Sequence, residues 1–220
     1  MSNQIPRSYE PLVQLLEDAA DGAHTYGAAI GLKQNPEANI RKDLLALTGT
    51  PAGPGGVPPA VPGLKQLWNT AKTSKVAATG VYRSAQSNGS ALAATCIGTL
   101  KPVLGNQWNS AWNAAGFTGG SLGVSGNPLV MLQQLRGYYE KNPTREVANV
   151  NGIACTAVAC EAAAQAVSTA ESASNQSNTD AGTAQANFQA GLTAARNRAS
   201  GLLAELTQLL DANDPRAVTK

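Results

Sequence analysis

Residues 155–167 of this 220-residue chain read CTAVACEAAAQAV, and residues 201–210 read GLLAELTQLL. Alanine or valine stands on nearly every side of the first stretch, and leucines form one stripe along the second. Such spacing predicts helices, and a helix that is apolar or small all round is normally buried all round. We therefore predict two long Ala-rich helices at the end of the chain, over 152–174 and 179–210, separated by the polar NQSN of 175–178.

The rest of the chain also shows apolar residues at helical spacing. Asn35 has the character of a helix cap, with Pro36 in the first position after it. Residues 48–63, TGTPAGPGGVPPAVPG, are dominated by proline and glycine and predict a long loop. No segment has the alternating, β-branched pattern of a strand, so we predict an all-α fold. The remaining predicted helices are 8–33, 35–47, 64–88, 88–105 and 127–143.

We expect these helices to form a single helical-bundle domain over residues 1–220. The Pro/Gly-rich loop of 48–63 then lies between N-terminal helices as an excursion within one bundle, because the segments on both sides of it are helical. A domain boundary at this loop is the alternative.

Charge is sparse in this chain. Charged residues make up 14% and the net charge is +2, whereas roughly 25% of residues are charged in typical globular proteins. Lys and Arg are scattered, so we expect no nucleic-acid partner. The longest weakly polar run, at 90–100, is far shorter than the ~20 residues of a membrane span, and no signal peptide pattern opens the chain. We expect a soluble, cytoplasmic protein with no membrane span, and leave export by an unconventional route open.

The chain has three cysteines, Cys96, Cys155 and Cys160. If Cys155 and Cys160 share one helix, their Cα atoms lie about 7.5 Å apart along its axis and their side chains point about 140° apart. That geometry excludes a disulfide between them and a shared metal ion. We expect three reduced, structural thiols, and the alternatives are a disulfide that includes Cys96 or a link between copies.

Residues 114–128, AAGFTGGSLGVSGNP, are rich in glycine. A phosphate-binding loop needs Lys and then Ser or Thr after its last glycine, but no Lys lies between Lys101 and Lys141. A dinucleotide loop needs a preceding strand. We therefore predict a tight corner between helices, with Phe117 and Leu122 facing inward.

Trp108 and Trp112 stand four residues apart just before this corner, a spacing that predicts one face of a short helix. We expect both rings to be buried wedges between helices. A platform on which a sugar or a base stacks is the alternative, although no basic groove accompanies the pair.

Candidate catalytic groups are few. His24 is the only histidine, so a His-based triad would have to centre on it, and Asp21 lies three residues before it. Glu17, Asp18 and Asp21 are close in sequence, but they predict a solvated helix face rather than an acid–base pair. We therefore expect no enzyme and no catalytic, cofactor or metal site.

Three stretches are similar to an uncharacterised family of bacterial helical proteins: AWNAAGFTGGSLGV at 111–124, YYEKNP at 138–143 and LLAELTQLLDANDPRAV at 202–218. Some members of that family carry a fibronectin-type module after the helical part, whereas this chain stops at Lys220. Ala217 also stands where the resemblance implies an aromatic residue. The resemblance implies a helical fold and supplies no known activity.

The function that these observations favour is a structural, self-assembling subunit of a homo-oligomeric assembly such as a filament or tube. Low charge leaves little repulsion between copies, and Ala and Gly faces allow helices to approach closely. A helical adaptor that binds a protein partner is the alternative.

Overall fold

The structure, a computed structural model, describes residues 5–56, 58–124 and 126–212. It is all-α, as predicted, with two small strand pairs beside the helices. In the described part of the chain the helices are α1 (Tyr9–Ile30), α2 (Glu37–Thr48), α3 (Leu64–Leu104), α4 (Leu129–Lys141) and α5 (Ala157–Ala212). Residues 213–220, which include Ala217 of the terminal motif, lie outside the described residues.

The fold consists of two compact units. The first is built from the described residues of Met1–Thr73 and Asp180–Lys220, and the second from those of Ser74–Thr179. Helices α3 and α5 contribute to both units, since the boundary falls within each of them. The prediction of one domain over 1–220 stays a prediction.

Leucines and alanines from α1, α2 and the last part of α5 form the core of the first unit. Leu12, Leu16 and Leu47 are fully buried there, and burial of each such side chain contributes about 1.5–3 kcal/mol. Phe188 of α5 is also buried and stacks on Trp68 of α3, with ring centroids 5.1 Å apart. The apolar spacing that predicted α1 and α2 therefore corresponds to a real buried face.

Gly191 of α5 allows three helices to meet closely in the first unit. A Cβ atom built on it would lie 2.6 Å from Leu64 Cδ1 of α3 and 3.1 Å from Leu47 Cδ2 of α2. A Cβ atom at this position would therefore force the Leu64 side chain to move. The predicted close approach of helices at small residues is thus present here.

Larger and more polar side chains form the core of the second unit. Trp112, Tyr139, Leu132 and Cys96 are among its fully buried residues. They come from the second half of α3, from α4 and from the connecting segments between the helices. Trp112 lies in a short 3₁₀ helix, Ser110–Ala115, that follows α3.

A β-hairpin in the second unit contradicts the prediction of a helix from residue 152. Strands β3 (Val147–Val150) and β4 (Ile153–Cys155) pair antiparallel. Asn151 and Gly152 between them both have positive φ, 52° and 86°, the backbone of a two-residue type I′ turn, for which Asn-Gly is preferred. The helix starts only after the hairpin, at Ala157.

The prediction of two terminal helices is also wrong, because α5 is one helix of 56 residues. The NQSN segment of 175–178 is helical, since it contains neither glycine nor proline to break the helix. A seven-residue repeat of buried residues runs through this segment, as in the seam of a coiled coil. Its members are Cys160, Val167, Ser174, Ala181, Phe188, Ala195 and Leu202.

Helix α3 is likewise continuous over 41 residues, where two helices meeting at residue 88 were predicted. Pro102 lies in its last turn, so the helix ends two residues later. The predicted loop of 48–63 contains some regular structure: α2 extends to Thr48, and β1 (Gly49–Thr50) pairs with β2 (Val61–Pro62).

Candidate functional site

Trp112 fixes the glycine-rich corner of the second unit. Its indole Nε1–H donates a hydrogen bond to the carbonyl oxygen of Gly105 at 3.1 Å. Its ring meets that of Phe117 edge to face, with centroids 5.4 Å apart. Trp112 is fully buried, so its prediction as a core wedge is confirmed. Phe117 is buried and Leu122 packs against the same core, so the prediction that both face inward is confirmed.

Trp108 differs from Trp112. It precedes the 3₁₀ helix, which begins at Ser110 after the cap residue Asn109, so the two rings do not share a helix face as predicted. Trp108 is 36% exposed, and its indole N–H donates to the carbonyl oxygen of Phe117 at 2.5 Å. The prediction of a buried wedge is wrong for this residue.

The glycines of the corner serve the turn itself. Gly116 has a φ of 86°, and a Cβ atom there would lie 2.6 Å from the side chain of Gln134. Gly119 and Gly120 lie in the exposed part of the loop, with no atom within 4 Å of a Cβ position. The arrangement is that of a tight corner that presses one side against α4 and leaves the other in solvent.

All three cysteines lie in the core of the second unit, fully buried as free thiols. Cys155 ends β4 while Cys160 lies in the first turn of α5, so the predicted common helix is wrong. Cys96 of α3 places its Sγ atom 4.0 Å from that of Cys160, and the Cys155 thiol is near enough to influence the pKa of Cys96. Burial raises the pKa of Cys155 to about 12. No local sequence pattern indicates that these three residues lie together.

The acidic residues and the histidine of α1 lie on an exposed face. His24 Nδ1 is 2.8 Å from Glu37 Oε2, and Arg41 pairs with both Glu37 and Asp21. Hydrogen bonds from Arg41 and then from His24 hold the pKa of Glu37 below its ordinary value. Asp18 accepts from a glutamine one turn earlier on α1. The ion pairs among these groups link α1 to α2 at the surface. Their exposure fits the predicted solvated helix face.

Glu205 of α5 holds the connection between α1 and α2. Its Oε1 accepts the backbone N–H groups of Lys33 and Gln34, both at 2.7 Å. Its Oε2 accepts the backbone N–H and the side-chain amide of Asn35, both at 2.9 Å. Glu205 is the one buried carboxylate among the described residues, with 7% exposure. Burial acts to raise its pKa, but these hydrogen bonds outweigh burial and lower it.

Asn35 therefore does not cap α2 as predicted. The cap position belongs to Pro36, and the Asn35 side chain joins a polar network instead. Its Oδ1 accepts from Arg198 at 3.1 Å, and Arg198 Nε donates to Asp43 at 2.7 Å. Arg198 is more than 150 residues away from both Asn35 and Asp43 in sequence, so no local pattern indicates this network.

One face of α5 in the second unit is apolar and uncovered. Val158 is 79% exposed, and Ala162 and Ala166 follow it at one-turn intervals and are exposed too. We call these three residues the alanine face. Beside it runs a groove of about 360 Å³, whose walls include Arg136 of α4 and Glu161 of α5.

A second apolar surface lies in the first unit. Leucine, alanine and isoleucine side chains of α1 and α5 line a groove of about 370 Å³, among them Leu15 of α1 and Leu206 of α5. Tyr26 stands at its edge and is 64% exposed. We call it the α1–α5 groove.

In the described part of the chain, no group of three or more His, Cys, Asp or Glu residues is arranged to hold a metal ion. Nor does any described helix combine the length and the apolar character that crossing a membrane demands.

The chain was compared with family models, with curated proteins and with solved structures, and nothing in any of the three matches it. The resemblance to the family of bacterial helical proteins therefore stays a prediction.

Proposed function

We propose that the protein is a structural subunit that assembles with copies of itself through the alanine face. The observation that carries this proposal is the exposure of Val158, Ala162 and Ala166 in one row. The opposite side of α5 already supplies the buried seven-residue repeat, so this row is a second apolar surface on the same helix. Burial of such a surface against another copy is favourable in proportion to its apolar area.

The small size of alanine supports a helix–helix contact at this face. Two helices approach most closely where their facing side chains are small, and Ala162 and Ala166 are separated by one turn. Electrostatic repulsion between two copies is small, since the net charge of each is only +2.

Charged groups beside the face suit a contact between identical surfaces. Arg136 pairs with Glu140 at 2.8 Å and also with Glu161 of α5. In a two-fold contact each surface meets its own copy, so a cation beside the face on one copy can meet the carboxylates on the other. Extension of such pairs into a filament or tube requires a further contact, for which the α1–α5 groove is a candidate surface.

The experiment is a measurement of mass in solution over a range of protein concentrations, by light scattering or sedimentation. We expect wild-type mass to rise with concentration, and negative-stain microscopy of the concentrated sample to show regular assemblies. The double variant Ala162→Lys and Ala166→Lys should lose the oligomer and retain its helical circular dichroism.

A matched control is available on the same helix. Ala186 and Ala190 are also exposed and one turn apart, so Ala186→Lys with Ala190→Lys adds the same charge away from the alanine face. This control should assemble as the wild type does. Equal loss of assembly in both double variants would mean that charge, and not the alanine face, decides the association.

A strictly monomeric wild-type protein at high concentration would contradict self-assembly. The α1–α5 groove favours the second candidate function in that case, a helical adaptor that binds an apolar segment of a protein partner.

A further inference from the structure

The three buried thiols of the second unit lie close together although they come from three different elements. Cys96 belongs to α3, Cys155 to β4 and Cys160 to α5, and all three are 0% exposed. Cys96 is the central member, because its Sγ atom lies 4.0 Å from that of Cys160 and it interacts electrostatically with Cys155 as well. Tyr139 and Thr99 complete the surroundings, with their hydroxyl oxygens 3.3 Å apart.

The pair Cys96 and Cys160 has the arrangement of an oxidisable dithiol. The two Sγ atoms are 4.0 Å apart, and a disulfide bond brings two sulfurs to about 2.05 Å. The helices that carry them are already close in this unit, because a Cβ atom on Gly89 of α3 would lie 3.3 Å from Val167 Cγ2 of α5. Gly89 and Val167 each stand seven residues, or two helical turns, from the respective cysteine.

We propose that Cys96 and Cys160 form an intramolecular disulfide that cross-links α3 to α5 within the second unit, while Cys155 remains a free thiol. The oxidant is a small peroxide, of which hydrogen peroxide is the simplest. One thiolate of the pair attacks a peroxide oxygen, the O–O bond breaks, and a sulfenic acid and water form. The second sulfur then displaces the sulfenic oxygen as water, which forms the S–S bond. Two thiols and one hydrogen peroxide thus give one disulfide and two waters.

Burial controls when this reaction takes place. The thiolate is the reactive form, and the hydrogen bond with Cys160, together with burial, raises the pKa of Cys96 above its ordinary value. Oxidation therefore proceeds through local opening of the unit. Once the unit closes, the same burial shields the disulfide from reductants. The cross-link is a lasting lock rather than a rapidly reversible switch.

The disulfide is expected to stabilise the second unit. It closes a loop that contains α4 and the β3–β4 hairpin, and a cross-link over a long loop removes much conformational freedom from the unfolded chain. We expect the melting temperature of the oxidised protein to rise by at least about 5 °C, and dithiothreitol applied in denaturant to reverse the rise.

The test is to treat the full chain with hydrogen peroxide in moderate urea, remove both, and alkylate the remaining thiols in denaturant. Unreduced tryptic peptides are then analysed by mass spectrometry. Cys155 and Cys160 share the tryptic peptide 146–196, so fragmentation between them must assign the bond. We expect a Cys96–Cys160 link with Cys155 alkylated. A Cys96–Cys155 link, or three unlinked cysteines, would overturn the proposal.

Two variants separate the disulfide from a general effect of oxidation. Cys155→Ala should keep the cross-link and the rise in melting temperature, whereas Cys160→Ala should lose both. An equal rise in the two variants would count against the Cys96–Cys160 pair. The peptide assignment in the wild-type protein stands without either variant, so a variant that fails to fold leaves the test decisive.

Discussion

The two units of the molecule are stabilised in different ways. The first has a core of leucine and alanine from helices, repeated at regular spacing, with Glu205 as its buried carboxylate. The second has a core in which Trp112 and Tyr139 are fully buried and use their polar atoms, Trp112 toward Gly105 and Tyr139 toward Thr99. Its connecting segments also contribute to the core, with Trp112, Ala115, Phe117 and Cys155 beside the more numerous residues of the helices.

The two cores differ in how strongly the stability of the unit depends on any single residue. A core of many similar leucines distributes its stability over equivalent contacts. A core that includes one large aromatic ring, with its own hydrogen bond and its own partner ring, concentrates stability at that residue. We therefore expect single substitutions in the second unit to have the larger effects, unless they reach the network of Glu205 in the first.

The largest effect is expected for Trp112→Ala. Removal of this fully buried ring should lower the free energy of unfolding by about 3–5 kcal/mol. Urea denaturation followed by circular dichroism measures the change. Trp108→Phe is the control, because it keeps an aromatic ring at this 36% exposed position and removes the indole N–H that donates to Phe117, and it should cost about 1 kcal/mol.

Hydrogen exchange in Trp112→Ala also compares the units directly. Exchange should accelerate more in α4 and the β3–β4 hairpin than in α1 and α2. Equal acceleration in all of them would mean that both units unfold together, as the prediction of a single domain over 1–220 requires.

The next largest effect is expected for Glu205→Gln. An amide in place of the carboxylate removes a charged acceptor and turns an N–H donor toward the donors of Lys33, Gln34 and Asn35. Because these groups are largely shielded from water, the cost should be about 2–3 kcal/mol. Chemical denaturation of the wild type and the variant gives the difference.

Acid provides the control for this prediction. The pKa of Glu205 is lower in the folded protein than in the unfolded chain, so the stability that it contributes is fully present above the unfolded pKa and is lost as pH falls through the folded value. The difference between wild type and Glu205→Gln should therefore shrink below about pH 4. A difference that is constant from pH 7 to pH 3 would show that the charge of Glu205 does not matter.

The smallest effect is expected for Gly152→Ala in the hairpin. Gly152 has a φ of 86°, and an alanine held in this conformation costs about 1–2 kcal/mol. Thermal unfolding measures it. Asn151→Gly at the neighbouring position, where φ is 52°, should be close to neutral. A neutral Gly152→Ala would contradict the type I′ turn.

The helices of the first unit could be predicted from local spacing, and those of the second only in part. Helix α1 was predicted over 8–33 and spans Tyr9–Ile30, because its leucines mark one face within a single segment. Helix α2 was predicted over 35–47 and spans Glu37–Thr48. In each case the information lies within one or two dozen neighbouring residues.

The hairpin has a sequence signal of its own, which differs from helical spacing. Asn151-Gly152 is a preferred hairpin turn, and the valines and isoleucine on both sides of it have the β-branched character of strands. The sequence also indicates that α5 is continuous, because a seven-residue repeat runs through the polar segment of 175–178. The contacts of Glu205 could not be predicted from sequence, since they join positions some 170 residues apart. The thiol cluster also depends on tertiary packing, because it joins Cys96 to a residue 64 positions away.

The seven-residue repeat of α5 restricts how the length of this chain can change. One residue inserted into the helix turns everything after it by about 100°, which would carry Phe188 and Ala195 out of the core and bring exposed neighbours into it. Seven inserted residues turn the helix by about 700°, close to two full turns, and nearly restore the original facing. An insertion that keeps this seam buried must therefore complete whole turns, so the pattern of burial also limits the lengths that the helix can take.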